Sequence, residues 1–119
     1  MTQEDINIWE INLFNAIKDV SDLDMQRKAW LGKSLDYVSS FSEIISILYD
    51  DFDFKKYIDY YERNHKENEF CLQMKKLDEM ISNYKPLISD ESILFDINWI
   101  EITKQAKIII ELKNSNLIS

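Results

Sequence analysis

The chain has 119 residues, of which 45% are hydrophobic and 30% charged, and it carries a formal net charge of −8. This length suits one domain, and the apolar fraction excludes an intrinsically disordered chain. One glycine, Gly32, and one proline, Pro86, are too few for the repeated turns of an antiparallel sheet. We therefore predict an all-α fold in which residues 1–119 form a compact, single-domain bundle of about five to seven helices.

The first two predicted helices lie at the start of the chain. Apolar residues recur at steps of three and four over 3–20, which is the period of one helical face. Thr2 is expected to cap this helix, because its hydroxyl can accept a hydrogen bond from a free N–H of the first turn. Ser21 or Asp22 then caps a second helix, and Gly32 is expected to end it in the left-handed conformation.

Two further helices are expected in the middle of the chain. Ser40 and Glu43 have the spacing of a capping box, so a third helix should begin there and reach about Asp51. Asp53 can cap a fourth helix, in which the aromatic residues share one face. The polar pair at 64–65 is expected to break this fourth helix.

The clearest helical period after the first helix lies over 66–84, where apolar residues step by four, three, four and three. Pro86 ends this fifth helix, since proline disfavours helical geometry at the residue before it. A short helical turn is expected over 90–95. The sequence thus predicts a long helix, a break at the proline and one further turn.

The last predicted helix begins at Asn98, which is followed three residues later by Glu101, and it runs to about Lys113. Residues 108–110 are three β-branched isoleucines, a run that also suits a strand. We prefer the helix, because such a strand would have few obvious partners in this sequence.

The negative charge is concentrated in the first half of the chain. Residues 1–62 contain 13 acidic and 6 basic side chains, a net −7, whereas residues 63–119 contain 9 and 8, a net −1. Such a field repels phosphate backbones and anionic lipids and steers basic proteins toward the surface. The negative net charge by itself is explained equally well by the contribution of surface charge to solubility. We expect a basic protein as the partner, with no binding to nucleic acid or membrane.

Residue types that carry catalysis are scarce. Cys71 is the single cysteine, so the chain forms no internal disulfide, and the acidic N-terminus lacks the features of an export signal. The single histidine, His65, cannot form a multi-histidine zinc site, and one glycine cannot form a phosphate-binding loop. We therefore predict a cytoplasmic protein that is not an enzyme, with no catalytic residue, no metal site and no cofactor.

Carboxylates and aromatic side chains alternate between Asp50 and Glu62, a mixture typical of protein interfaces. The aromatic residues at helical spacing are assigned to the core first, which leaves the carboxylates and Tyr60 for an exposed face. Trp30 is the tryptophan most readily placed at a partner surface. The predicted contact residues are Asp50, Asp51, Asp53, Asp59, Tyr60 and Glu62, with Asp19, Asp22, Asp24 and Asp36 as a second acidic set.

Part of the sequence resembles the small immunity proteins of bacterial contact-dependent growth inhibition systems. The resemblance covers residues 27–53, under a quarter of the chain. It rests on Arg27-Lys28-Ala29-Trp30-Leu31-Gly32, Ser40-Phe41-Ser42-Glu43 and Leu48-Tyr49-Asp50-Asp51. The resemblance implies a cytoplasmic helical protein that neutralises a cognate toxin domain, often a nuclease, with acidic side chains lying in its basic substrate groove.

Two other classes of function fit the same sequence. An acidic helical adaptor or regulatory module would differ from a toxin inhibitor only in its partner. A carboxylate-dependent metalloenzyme would use the cluster formed by Asp50, Asp51 and Asp53, since hard cations prefer several carboxylate oxygens. This cluster lacks the ligand order and the central glycine of a calcium-binding EF-hand loop.

Overall fold

The computed structural model describes residues 1–32, 39–65 and 67–115, and these ranges contain seven α-helices and no strand. The prediction of an all-α bundle of five to seven helices is therefore confirmed. A π-helical turn, Ile47–Asp51, continues the third helix. The helices are α1 (Gln3–Ser21), α2 (Leu23–Trp30), α3 (Phe41–Ser46), α4 (Phe54–His65), α5 (Glu69–Asn83), α6 (Asp90–Leu94) and α7 (Ile97–Asn114).

Side-chain caps fix the ends of the first two helices. The Thr2 hydroxyl accepts a hydrogen bond from the Asp5 N–H, and the Asp5 carboxylate accepts one from the Thr2 N–H, each at 3.1 Å. Asp22, rather than Ser21, caps α2 by accepting from the Met25 N–H at 3.0 Å. Gly32 has φ +71° after the end of α2, so its predicted left-handed conformation is confirmed.

Substituting Gly32 tests this left-handed position. Gly32→Ala is expected to lower the free energy of unfolding by about 1–2 kcal/mol, because an L-side chain is strained at positive φ. The strain should act alone, since an added Cβ would meet no atom of the described residues within 4 Å. Urea unfolding measures this loss. Gly32→Asn is the control, because asparagine tolerates the left-handed conformation better than alanine does. Equal losses in the two variants would contradict the backbone explanation.

Three helix boundaries differ from the sequence prediction. Helix α5 begins at Glu69, not near residue 66, because the Asn68 side chain accepts the Cys71 N–H at 2.9 Å. Helix α7 begins at Ile97, because Asp96 takes the capping position predicted for Asn98. His65 does not break α4 but lies in its last turn, where its ring stacks on Tyr61 at 4.5 Å.

One core joins the longer helices. Helices α1 and α7 pack along each other, and α5 also packs along α7. Leu13, Ile17, Leu77 and Ile109 are among the residues that these helices bury completely. Ile109 belongs to the isoleucine run at 108–110, and the whole run is helical, as we preferred. No helix in the described ranges has both the length and the apolar character needed to cross a bilayer.

A second group of buried side chains attaches α2 and α3 to this core. The Trp99 ring of α7 packs against Trp30 of α2 and Phe41 of α3, with centroid distances of 6.0 and 5.1 Å. The fully buried Gln26 accepts a hydrogen bond from the Trp99 indole at 2.9 Å and donates to the Val20 carbonyl at 2.9 Å. This polar link fixes the position of α2 at the end of α1.

Candidate functional site

Three exposed carboxylates lie where the π-helical turn meets α4. They belong to Asp50, Asp51 and Asp53, and we call the segment 50–53 that carries them the acidic turn. Asp50 accepts a hydrogen bond from the Ser46 hydroxyl at 3.0 Å, and Asp53 accepts one from the Lys56 N–H at 3.4 Å. Within the described residues, no lysine or arginine pairs with these three carboxylates at 4 Å or less. With respect to the described residues, the acidic turn therefore presents negative charge to solvent without a paired cation.

Buried neighbours hold the acidic turn in place. Leu48, just before it, and Phe54, just after it, are fully buried. The Phe52 carbonyl, inside the turn, accepts a hydrogen bond from the Trp9 indole of α1 at 2.7 Å. Apolar and acidic residues alternate here, so burial of the apolar ones directs the carboxylates outward.

The backbone of the acidic turn has two uncommon features. A π-helical turn is a rare conformation that is enriched at functional sites. Asp53 has φ +47°, a left-handed conformation that costs an L-residue about 1–2 kcal/mol. Aspartate tolerates this region better than most residues. The geometry therefore favours aspartate or asparagine at position 53 over a long side chain.

Asp59, Tyr60 and Glu62 of α4 are less available than the acidic turn. Asp59 pairs with Arg63 at 3.0 Å, and Glu62 forms an ion pair with Lys75 of α5. Tyr60 is half-buried, with its ring 5.7 Å from that of Trp9. Exposed ion pairs contribute only about 0–1 kcal/mol, so a cationic partner could exchange with these lysine and arginine side chains.

The second acidic set has other roles in the structure. Burial, followed by the charge of Asp22, raises the pKa of Asp19. Asp22 caps α2, and Asp24 lies 3.9 Å from Arg27. Asp36 lies outside the described residues.

Basic side chains also lie close to Asp22 and Asp24. A groove of about 620 Å³ between α1, α2 and α7 is lined by Lys18, Lys104 and Lys107 as well as by Asp22 and Asp24. Glu111 brings the lining to three basic and three acidic residues. This part of the surface is therefore balanced in charge, in contrast to the acidic turn.

Two tyrosine–carboxylate pairs, one between α1 and α4 and one between the π-helical turn and α5, were not predicted from the sequence. The Tyr57 hydroxyl donates to Glu10 of α1 at 2.5 Å, and the Tyr49 hydroxyl donates to Asp78 of α5 at 2.8 Å. Lys55 also pairs with Asp78 at 3.0 Å. Burial and these carboxylates raise the pKa of both tyrosines. Because the partners lie 29 and 47 residues apart, only the folded packing brings them together.

Two side chains singled out in the sequence contribute to packing. Trp30 is half-buried between Phe41 and Trp99, and its indole N–H points to the Ser39 hydroxyl at 3.3 Å. Cys71 is buried, and burial raises the pKa of its thiol. A neutral buried thiol is a poor nucleophile.

The part of the chain that the structure describes holds no group of three His, Cys, Asp or Glu side chains arranged to bind a metal ion. Comparisons of the chain with protein-family models, with curated proteins and with solved structures gave no match.

Proposed function

We propose that this protein binds a basic protein through the acidic turn, and that it acts as an immunity protein that neutralises a cognate toxin domain, a nuclease. The observation that carries the proposal is that Asp50, Asp51 and Asp53 are exposed and form no ion pair within the described part of the chain. The toxin assignment rests on the resemblance of residues 27–53 to immunity proteins.

Electrostatic steering explains how such a surface would work. Complementary charge raises association rates by about 10- to 1,000-fold at low ionic strength. In the basic groove of a nuclease, the three carboxylates would occupy positions that substrate phosphates take, and each could accept charge-assisted hydrogen bonds from arginine or lysine. The buried residues on both sides fix the turn before binding, so little conformational entropy is lost on association.

The negative surface continues onto α1. Asp5 lies one turn before Trp9 on the same face of the helix, and Trp9 contacts the acidic turn through the Phe52 carbonyl. Hydrogen bonds from Thr2 lower the pKa of Asp5, so its charge persists at neutral pH. A partner that approaches the acidic turn therefore also meets the N-terminal end of α1.

Neutralising the acidic turn tests the proposal. If a toxin gene lies immediately upstream, the substitutions Asp50→Asn, Asp51→Asn and Asp53→Asn, made together, are expected to slow association with its C-terminal domain by about tenfold or more at low salt. Asparagine is chosen because it suits the left-handed backbone at position 53. Stopped-flow association rates and inhibition of the toxin's nuclease activity are the measurements.

A matched variant separates local charge from total charge. Glu79→Gln, Glu91→Gln and Glu111→Gln also change the net charge from −8 to −5, since −8 + 3 = −5, at exposed sites without ion pairs in the described residues. We expect a much smaller decrease in association rate for this variant than for the acidic-turn variant. The difference in rate between the two variants should become smaller at high salt, because salt screens the charges. Equal rates for the two triple variants, or no inhibition of that toxin domain by the unchanged protein, would refute the proposed function.

A further inference from the structure

A second surface, of different character, surrounds the turn between α6 and α7. Phe95 in this turn is 69% exposed, and Ile97 is exposed to the same extent. The turn is held by hydrogen bonds of its backbone: the Phe95 N–H donates to the Ser92 carbonyl at 3.3 Å, and the Asp96 N–H donates to the Ile93 carbonyl at 3.0 Å. The aromatic ring is therefore kept in solvent by a fixed backbone.

A concave surface lies beside the Phe95 ring. It has a volume of about 580 Å³ and is lined, among the described residues, by Asp24, Arg27, Lys28, Leu31 and Phe95. We call it the Phe95 cleft. Its volume falls within the usual range of about 300–1,000 Å³ for binding pockets. An isolated exposed phenylalanine is common, but one that forms the wall of a cleft of this size is a candidate contact.

The charge at the cleft is opposite to that of the acidic turn. Arg27 and Lys28 lie in the last turn of α2, where cations are favoured by the helix dipole. Arg27 is 3.9 Å from the highly exposed Asp24, a distance too long for a hydrogen bond, and Lys28 has no ion pair within the described residues. The described residues that line the cleft therefore carry a net charge of +1, on a chain whose net charge is −8.

We propose that the Phe95 cleft binds a short acidic segment of a partner protein. In this arrangement an apolar side chain of the segment packs between Phe95 and Leu31, and a neighbouring carboxylate accepts hydrogen bonds from Arg27 and Lys28. Charge complementarity identifies this occupant, because two cations match one or two carboxylates. A nucleic-acid strand carries many phosphates, and two cations cannot offset their repulsion by a chain of net charge −8.

Fluorescence anisotropy with a labelled peptide of about ten residues, containing two leucines and two glutamates among serines, tests the proposal directly. We expect saturable binding with a Kd below about 1 mM at low salt. Matched peptides with lysine in place of glutamate, or serine in place of leucine, should bind at least about tenfold more weakly.

Variants of the cleft locate the binding. Phe95→Ala, and the pair Arg27→Gln and Lys28→Gln, should each raise the Kd by about tenfold. Two controls remove equivalent groups elsewhere and should leave the Kd unchanged: Ile88→Ala at a fully exposed apolar residue, and Lys76→Gln with Lys85→Gln at exposed lysines. All positions are exposed, so thermal unfolding should show that each variant remains folded.

Several results would overturn this proposal. They are the absence of peptide binding at about 1 mM, equal binding of the matched peptides, or no effect of the cleft variants. Tighter binding of an oligothymidylate than of the acidic peptide would assign the cleft to nucleic acid instead. Dimerisation in sedimentation experiments that Phe95→Ala abolishes would assign it to a second copy of the chain. Each of these outcomes leaves the role of the acidic turn to be judged by its own experiment.

Discussion

Substitution of Trp99 by alanine is expected to lower the free energy of unfolding by about 3–5 kcal/mol, the range found for large-to-small changes in protein cores. Trp99 is fully buried, and the rings of Trp30, Phe41 and Tyr84 all lie within 6.0 Å of its ring. Removal of the indole would leave a cavity next to α2, α3 and the C-cap residue of α5, and it would weaken the attachment of α2 to the core. Since small proteins have about 5–15 kcal/mol of stability, much of the total would be lost.

The measurement is urea unfolding followed by circular dichroism. Trp99→Phe is the matched variant, because it keeps an aromatic ring in the cavity but removes the N–H that donates to Gln26 at 2.9 Å. We expect a loss of about 1–3 kcal/mol for this variant, since Gln26 is buried and its amide oxygen would have no donor. A loss below about 1 kcal/mol for Trp99→Ala would mean that these aromatic contacts do not hold the helices together.

A double-mutant cycle isolates the polar link. Gln26→Leu alone leaves the Trp99 indole without an acceptor, and it also removes the hydrogen bonds to the Asp19 and Val20 carbonyls. Combining Gln26→Leu with Trp99→Phe should cost less than the sum of the two separate losses, because the second change removes a group that is already unpaired. Additive losses would contradict a direct coupling between Gln26 and Trp99.

Periodicity and capping explain why the fold class could be predicted from the sequence. A stripe of apolar residues at helical spacing specifies which side of a helix is buried. Such a stripe can be recognised without knowing which helices pack together or how they are arranged in space. The residues at which the helices begin and end were harder to predict. Asn68 and Asp96 act as caps, although nearby polar residues such as Asn64 and Asn98 are equally suited by type. Tertiary contacts decide between such alternatives, as the stacking of His65 on Tyr61 shows.

The contacts of the candidate site were predictable only where the spacing of residues within one helix determines them. The pairing of Asp59 with Arg63 follows from a spacing of four residues on one helix. The pairing of Glu62 with Lys75 depends instead on how α4 packs against α5, which a single sequence does not specify. The Phe95 cleft was missed for the same reason, because its lining residues at 24–31 and at 95 are separated by more than 60 positions.

Raising the pH above about 10 is expected to destabilise the protein through Tyr57. Burial, reinforced by the hydrogen bond to Glu10, raises the pKa of Tyr57 well above that of an exposed tyrosine. The unfolded chain therefore loses this proton near pH 10, a typical tyrosine pKa, whereas the folded chain keeps it. Because the folded state then binds more protons, its stability falls by about 1.4 kcal/mol for each further pH unit.

Tyr57→Phe separates this titration from other alkaline effects. At neutral pH the variant should be less stable by about 1–3 kcal/mol, because the half-buried Glu10 carboxylate loses a donor at 2.5 Å. The variant has no hydroxyl to ionise in its unfolded state at this position, so its stability should fall less steeply above about pH 10. Urea unfolding across the pH range gives the free energy of unfolding of both proteins as a function of pH. The curves of the unchanged protein and the variant should converge above pH 10 and cross about one to two pH units higher. Parallel curves would show that the Tyr57 hydroxyl ionises equally well in the folded protein, and that α1 and α4 do not exclude its charge.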